Sequence, residues 1–227
     1  MIICILSMYL PTLLMTRRPF LMGSILSSAN HRPKLKNKTT SLEYNTQIYY
    51  SEDDDDDGAL LAQTPSARQI RYYGPIDSKS LLSLNSVLCN LASESNEPIH
   101  LHIQSGGGEL IPALYTSDLI ASLQPEVHTY VDGVCASAAT LLSIAGNVRH
   151  MSKNSIYLIH QLSTTHSGKY SELQQSLQNS DLLMRNMMNI YLEHSKLNVN
   201  QLKQLLSRDA YINAQICLKY GLIDFID

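Results

Sequence analysis

From Ile99 the chain alternates apolar and polar residues, Ile99-His100-Leu101-His102-Ile103-Gln104. It then meets three consecutive glycines, Gly106 to Gly108, and resumes as a helical pattern from Glu109 to Leu123. Period two marks a strand with one buried face, and a change of period across a glycine turn marks a strand feeding a helix. The same kind of unit recurs along residues 68–227. Ile70 to Tyr73 is a short β-rich run closed by Gly74-Pro75, and Leu81, Leu84, Leu88 and Leu91 follow at helical spacing. Val127, Thr129 and Val131 alternate as a strand, and beyond Gly133 the small residues Ala136 to Ala145 read as a helix. Ile156 to Ile159 is a further strand. A long helix is expected over roughly Ser171 to His194, with Leu173, Leu177, Met184, Met188 and Tyr191 along one face. Asn198 with Gln201 resembles a capping box for the next helix. A last helix, Ala214 to Tyr220, stops at Gly221, and Leu222 to Ile226 closes the chain as a strand. Strands alternating with helices predict an α/β domain.

Composition narrows the function classes. With 44% apolar and 16% charged residues among 227, the chain has the material for a sizeable core, which excludes a disordered protein. A net charge of −3 announces no basic face, so no nucleic-acid partner is expected. The cysteines Cys4, Cys89, Cys135 and Cys217 form no CxxC pair, which argues against a zinc site and a disulfide framework. They read as buried, reduced thiols in a reducing compartment.

The amino-terminal quarter differs. Met1 to Leu42 contains no Asp or Glu but carries Arg17, Arg18, Arg32, Lys34, Lys36 and Lys38 among several Ser and Thr. Basic, hydroxylated and acid-poor is the composition of an organelle transit peptide. The apolar run Met1 to Met15 is shorter than the ~20 residues that span a bilayer, so no membrane association is expected. Residues 1–50 are therefore read as a targeting segment or a disordered or processed extension. The expected destination is an organelle stroma or matrix, plastid before mitochondrion, or the cytoplasm if the segment is only a tail. Glu52 and Asp53 to Asp57 repel one another, and 51–67 reads as an acidic linker or mobile loop.

Three polar residues have the types and local settings of acyl-transfer chemistry. Ser137 stands in Gly133-Val134-Cys135-Ala136-Ser137-Ala138-Ala139, where a strand passes through a turn into a helix. A helix start offers unpaired N–H groups to an oxyanion; a plain packed serine fits the same pattern. His160 ends the strand Ile156 to Ile159, a position for a general base or for a hydrogen-bonded strand cap. Asp209, in Ser207-Arg208-Asp209, lies where an acid can orient an imidazole or simply close a turn. The turn Ser105-Gly106-Gly107-Gly108 lacks the Lys-Ser/Thr tail of a nucleotide-binding loop.

In this order, Ser-Gly-Gly-Gly, Gly-Val-Cys-Ala-Ser-Ala-Ala, Leu-Ile-His-Gln, Ser-Arg-Asp and Tyr-Gly-Leu-Ile-Asp, residues 68–227 resemble the proteolytic subunit of the Clp protease. The resemblance implies a crotonase-like α/β fold of repeated ββα units and a serine endopeptidase. Ser137 would be its nucleophile, His160 its base and Asp209 the orienting acid, with the amides of Gly107 and Ala138 as oxyanion donors. It further implies stacked seven-membered rings of this or paralogous subunits, with the long helix joining the rings. Unfolded polypeptides would be the substrates, delivered by an AAA+ unfoldase that uses the ATP; the chain itself would need no metal or other cofactor. Three features depart from the family pattern: Gly106 and Leu162 replace prolines, and Ser163-Thr164-Thr165 replaces substrate-pairing glycines. They leave a second reading, a structural ring subunit with little activity of its own. An α/β-hydrolase esterase orders its triad Ser, Asp, His, unlike this chain, and an acyl-CoA enzyme of the crotonase type would not need the triad.

Overall fold

The computed structural model describes residues 68–227, together with the backbone of two short strands before them, β1 (Gln47–Tyr49) and β2 (Leu60–Thr64). The rest of the expected targeting segment and acidic linker lies outside the described residues. Strand β2 falls within the stretch expected to be linker and pairs antiparallel with β3 (Gln69–Tyr73).

Five strands form the parallel heart of the sheet: β3, β4 (Ile99–Ser105), β5 (Val127–Ala136), β6 (Val148–Met151) and the final β9 (Phe225–Ile226), in that spatial order. Between them run α1 (Ser78–Glu94), α2 (Leu110–Ser122) and α3 (Ala139–Ile144). The alternation in β4 is realised as expected, with Ile99, Leu101 and Ile103 fully buried. Leu81, Leu84, Leu88 and Leu91 of α1 join the same core, and α1 opens on a capping box between Asp77 and Ser80. Strand β6 is only four residues, Val148-Arg149-His150-Met151, with its two central side chains charged or polar, too short a pattern to be read from sequence.

Strand β5 does two jobs. Residues 128–131 pair with β6, whereas residues 134–136 pair with β7 (Ile156–Leu158). The change of partner falls at Gly133, whose φ of +83° only glycine adopts without strain. On the other edge the register shifts between Ile103 and Ser105, so that Ser105 meets Cys135. This bulge carries the end of β5 away from the main sheet. Strand β7 in turn pairs antiparallel with β8 (Ile212–Asn213).

Strand β5 continues through Ala136, so α3 starts at Ala139 and not at Ala136 as expected. The long helix α4 (Tyr170–His194) falls where predicted, but its apolar face is only half covered. Tyr191 is buried and Met184 and Met188 pack on the core, whereas Leu173 and Leu177 are exposed. The reason is geometric: only the carboxyl-terminal part of α4 reaches the chain's own core. Helix α5 (Val199–Leu206) has the predicted capping box, with Gln201 N donating to Asn198 Oδ1 at 2.9 Å. Helix α6 (Ala214–Tyr220) ends on Gly221 at φ +67°.

The outer face of the sheet carries a ladder of rings. His102 and His150 stack on either side of Tyr130, each with centroids 4.6 Å away, and Phe225 stacks on His150 at 5.1 Å. His100 meets His128 edge-on and accepts or donates a bond at Tyr130 Oη, 2.9 Å away. Burial, then the charges of His128, His102 and His150, hold the His100 imidazolium pKa below its ordinary value. The folded chain therefore binds the His100 proton less readily than the unfolded chain. Its contribution is neutral above the unfolded value of about 6.5 and turns against folding as pH falls below it. Thermal melting between pH 7.5 and 5.5 is expected to show a decline in midpoint that is shallower in His100→Gln; equal slopes would count against it.

Candidate active site

The end of β5 delivers Ser137 into a turn in the left-handed region, at φ +56°. A non-glycine residue held there costs on the order of 1–3 kcal/mol and persists only where its surroundings enforce it. The enforcing contacts are visible. The Ser137 amide donates to the Leu158 carbonyl at 2.9 Å, and the Ser137 carbonyl accepts from the Thr140 amide at 3.0 Å. Ser137 is half-buried at the mouth of α3.

The glycine turn packs directly against it. A methyl group on Gly107 would lie 2.5 Å from Ser137 Cβ and 3.1 Å from the Ala138 nitrogen. The turn is clamped to Ile76, whose amide donates to the Gly107 carbonyl at 2.9 Å and whose carbonyl accepts from Glu109 at 2.8 Å. The Ala138 N–H has no acceptor among the described residues, as an oxyanion donor requires. The Gly107 N–H is engaged, donating to the Oγ of buried Ser105 at 3.1 Å. The neighbouring Gly108 N–H has no acceptor among the described residues, so it joins Gly107 and Ala138 as a candidate donor that sequence reasoning passed over. A residue with a side chain at Gly106 would meet nothing within 4 Å, so no steric demand explains the departure from proline there.

His160 lies two residues beyond Leu158, the residue that holds Ser137 through its carbonyl. Strands β7 and β8 pair Tyr157 with Ile212, so His160, two residues beyond β7, and Asp209, three residues ahead of β8, leave the same end of that antiparallel pair. The amide after His160, that of Gln161, donates to the Leu206 carbonyl at the end of α5, at 3.1 Å. Topology thus brings the segments of Ser137, His160 and Asp209 alongside one another. It does not link their side chains: among the described residues, no hydrogen bond is made by the Ser137 hydroxyl, the His160 ring or the Asp209 carboxylate. Asp209 is exposed, whereas His160 is half-buried.

Beside this turn runs a cleft of about 410 Å³, lined by Glu109, Leu110 and Ile111 at the start of α2, Leu162 and Thr164 after His160, and Ser180 of α4. The Leu162 amide donates to Met184 Sδ at 3.2 Å, a bond that a proline at 162 could not make, and so ties this wall of the cleft to α4. A second cavity, about 540 Å³, is lined by Arg149, His194, Asp224 and Phe225 and holds none of the candidate residues. There burial opposes the charge of Asp224, but the hydrogen bonds and charge of Arg149 outweigh it and hold the carboxyl below its ordinary value. Among the described residues no three His, Cys, Asp or Glu side chains are placed to hold a metal ion, and no helix is long and apolar enough to cross a membrane. Cys135 and Cys217 are buried, and burial pushes the Cys217 thiol to about 12; Cys89 is exposed, contrary to the expectation, because it faces outward on α1. Cys4 lies outside the described residues.

The profile of the Clp protease family matches residues 55–227. The chain belongs to the Clp protease family, as a member of its proteolytic-subunit branch. The match begins ahead of β2, so the family's sequence pattern extends into the stretch read as linker. Among solved structures, a ClpP1 point mutant from Listeria monocytogenes aligns with a TM-score of 0.66 and 23% identity, over 71% of this chain and 92% of its own. That likeness shows the fold, the mixed α/β arrangement around a parallel sheet. Proteins of the ClpP family are serine peptidases that form oligomeric rings with Clp ATPases.

Proposed function

We propose that this Clp-family chain is a working serine endopeptidase, with Ser137 as nucleophile, His160 as general base and Asp209 as the acid that orients it. The observation that carries the reading is Ser137 itself. A serine held at φ +56° on a strand-to-helix turn stands beside the unpartnered Ala138 amide and against the glycine turn. In this mechanism His160 takes the hydroxyl proton as Ser137 Oγ attacks the scissile carbonyl. Ala138 N–H and a glycine amide hold the oxyanion, His160 returns the proton to the leaving amine, and water resolves the acyl-enzyme. The cleft beside Ile111 and Leu162 accepts the polypeptide in extended form. No step calls for a metal or a nucleotide on this chain. The ATP-driven partner is an AAA+ unfoldase, the substrates are unfolded proteins, and the complete particle is built from stacked rings of this or paralogous chains. An organelle stroma, that of a plastid first, is the compartment consistent with the basic amino-terminal segment.

The unlinked state of Ser137, His160 and Asp209 favours one rival, a structural ring subunit with little activity of its own. A fluorophosphonate probe separates the two. The full-length chain, in its assembled form, is expected to be labelled at Ser137, and labelling is expected to vanish in Ser137→Ala. An unlabelled assembled wild type would establish the structural reading.

A further inference from the structure

Beneath Ser137 three buried hydroxyl side chains form a connected set that the catalytic reading does not use. Thr140 Oγ1 donates to the Ser137 carbonyl at 2.5 Å, and the Tyr191 hydroxyl of α4 lies 2.5 Å from the same Oγ1. The Tyr157 hydroxyl donates to the Thr140 carbonyl at 3.0 Å. Thr140 and Tyr157 are fully buried and Tyr191 nearly so. Each hydroxyl has a single proton. If Thr140 gives its proton to Ser137, Tyr191 must give its own to Thr140. The chain therefore has one direction, from Tyr191 through Thr140 to the Ser137 carbonyl, and hydrogen bonds in such a chain strengthen one another in a dry interior.

The Ser137 carbonyl is the atom group that this set holds, and the peptide it belongs to continues directly into the Ala138 amide. Rotation of that peptide, about the Ser137 Cα–C and Ala138 N–Cα bonds, would turn the Ala138 N–H away from the oxyanion position. We propose that Thr140 and Tyr191 are positioning residues, which act through the Ser137–Ala138 peptide to hold the nucleophile and the oxyanion donor in register. The inference rests on the acyl-transfer reading of Ser137. Tyr191 is contributed by α4 and Thr140 by α3, so the helix packed behind the site takes part in shaping it.

The experiment uses the full-length chain in its assembled form and four variants: Thr140→Val, Thr140→Ser, Tyr191→Phe and the double variant Thr140→Val with Tyr191→Phe. Three readouts are taken: the rate of fluorophosphonate labelling, kcat against KM for a peptide, and hydrogen exchange of the segment 131–145. Thr140→Val and Tyr191→Phe are expected to slow labelling and lower kcat about 10- to 100-fold with KM within about twofold. The double variant should cost little more than Thr140→Val alone, because the two act on one carbonyl. Thr140→Ser, which keeps the hydroxyl, should restore both rates. Exchange at 131–145 should quicken in the Val and Phe variants and not in α1. A purely structural role would lower melting temperature with no such kcat-only loss and no rescue by serine. Unchanged kcat and labelling in a folded Thr140→Val would overturn the proposal while leaving the peptidase reading intact. An unlabelled wild type would remove the peptidase reading, and exchange at 131–145 would still decide the positioning role, unaltered exchange overturning it.

Discussion

Ser137→Ala is expected to lower kcat for peptide hydrolysis by about 10⁴- to 10⁶-fold with KM little changed, the scale seen when a serine–histidine unit loses its nucleophile. The alanine variant keeps the strained turn, the cleft and the Ala138 amide, so it still binds substrate and retains whatever the oxyanion donors supply alone. His160→Ala should cost nearly as much, and the double variant hardly more than either, because the two side chains perform one proton transfer. Asp209→Asn is expected to cost less than either. Asp209 is exposed on the turn beyond α5 and has no hydrogen bond to His160 in this structure, so its orienting bond forms in competition with water. Steady-state kinetics on the assembled protein measure all four. Losses from Ser137→Ala and His160→Ala that multiply in the double variant would show that the two residues do not form a unit.

The positions of these residues were legible in the sequence for different reasons. Strand β4 and the glycine turn were readable because a one-sided sheet writes period two into the chain, and Ile99, Leu101 and Ile103 all point inward. The caps of α5 and α6 were readable because Asn198 with Gln201, and Gly221, satisfy backbone groups locally. What could not be read was set by contacts distant in sequence. The start of α3 moved to Ala139 because β7 pairs with the end of β5 and keeps residues 134–136 extended. Leu173 and Leu177 repeat at helical spacing, yet their half of α4 extends past the core that would cover them. The link from Tyr191 to Thr140 spans 51 residues and leaves no periodic signal. The engagement of the Gly107 amide by Ser105 Oγ is equally invisible, since any Ser two residues before a glycine could make it or not.

Gly107→Ala is expected to disable the site, because the added methyl group meets the nucleophile's own stem. The new Cβ would stand 2.5 Å from Ser137 Cβ and 2.6 Å from the Ala136 carbonyl oxygen, distances at which something must move. Neither neighbour is the free end of a flexible side chain: one is the nucleophile's own stem and the other is strand backbone. Gly107 also sits at φ +94°, where an L side chain is strained whatever the space. The strain and the overpacking each cost about 1–3 kcal/mol, and they act on the same turn. The least costly relief is to separate the glycine turn from Ser137, which pulls the oxyanion donors of the turn away from Ala138 N–H. Loss of one such donor lowers kcat about 10²- to 10³-fold. Denaturant unfolding should therefore show a loss of stability of roughly 2–5 kcal/mol, and activity should fall by two orders of magnitude or more. Gly106→Ala is the control that isolates the cause: its Cβ meets nothing within 4 Å, and the same added methyl should leave kcat unchanged and stability equal or slightly higher. Should Gly107→Ala retain kcat within threefold of wild type, the contact between the glycine turn and Ser137 would have no part in catalysis, and the oxyanion would have to be held by Ala138 with donors outside the turn.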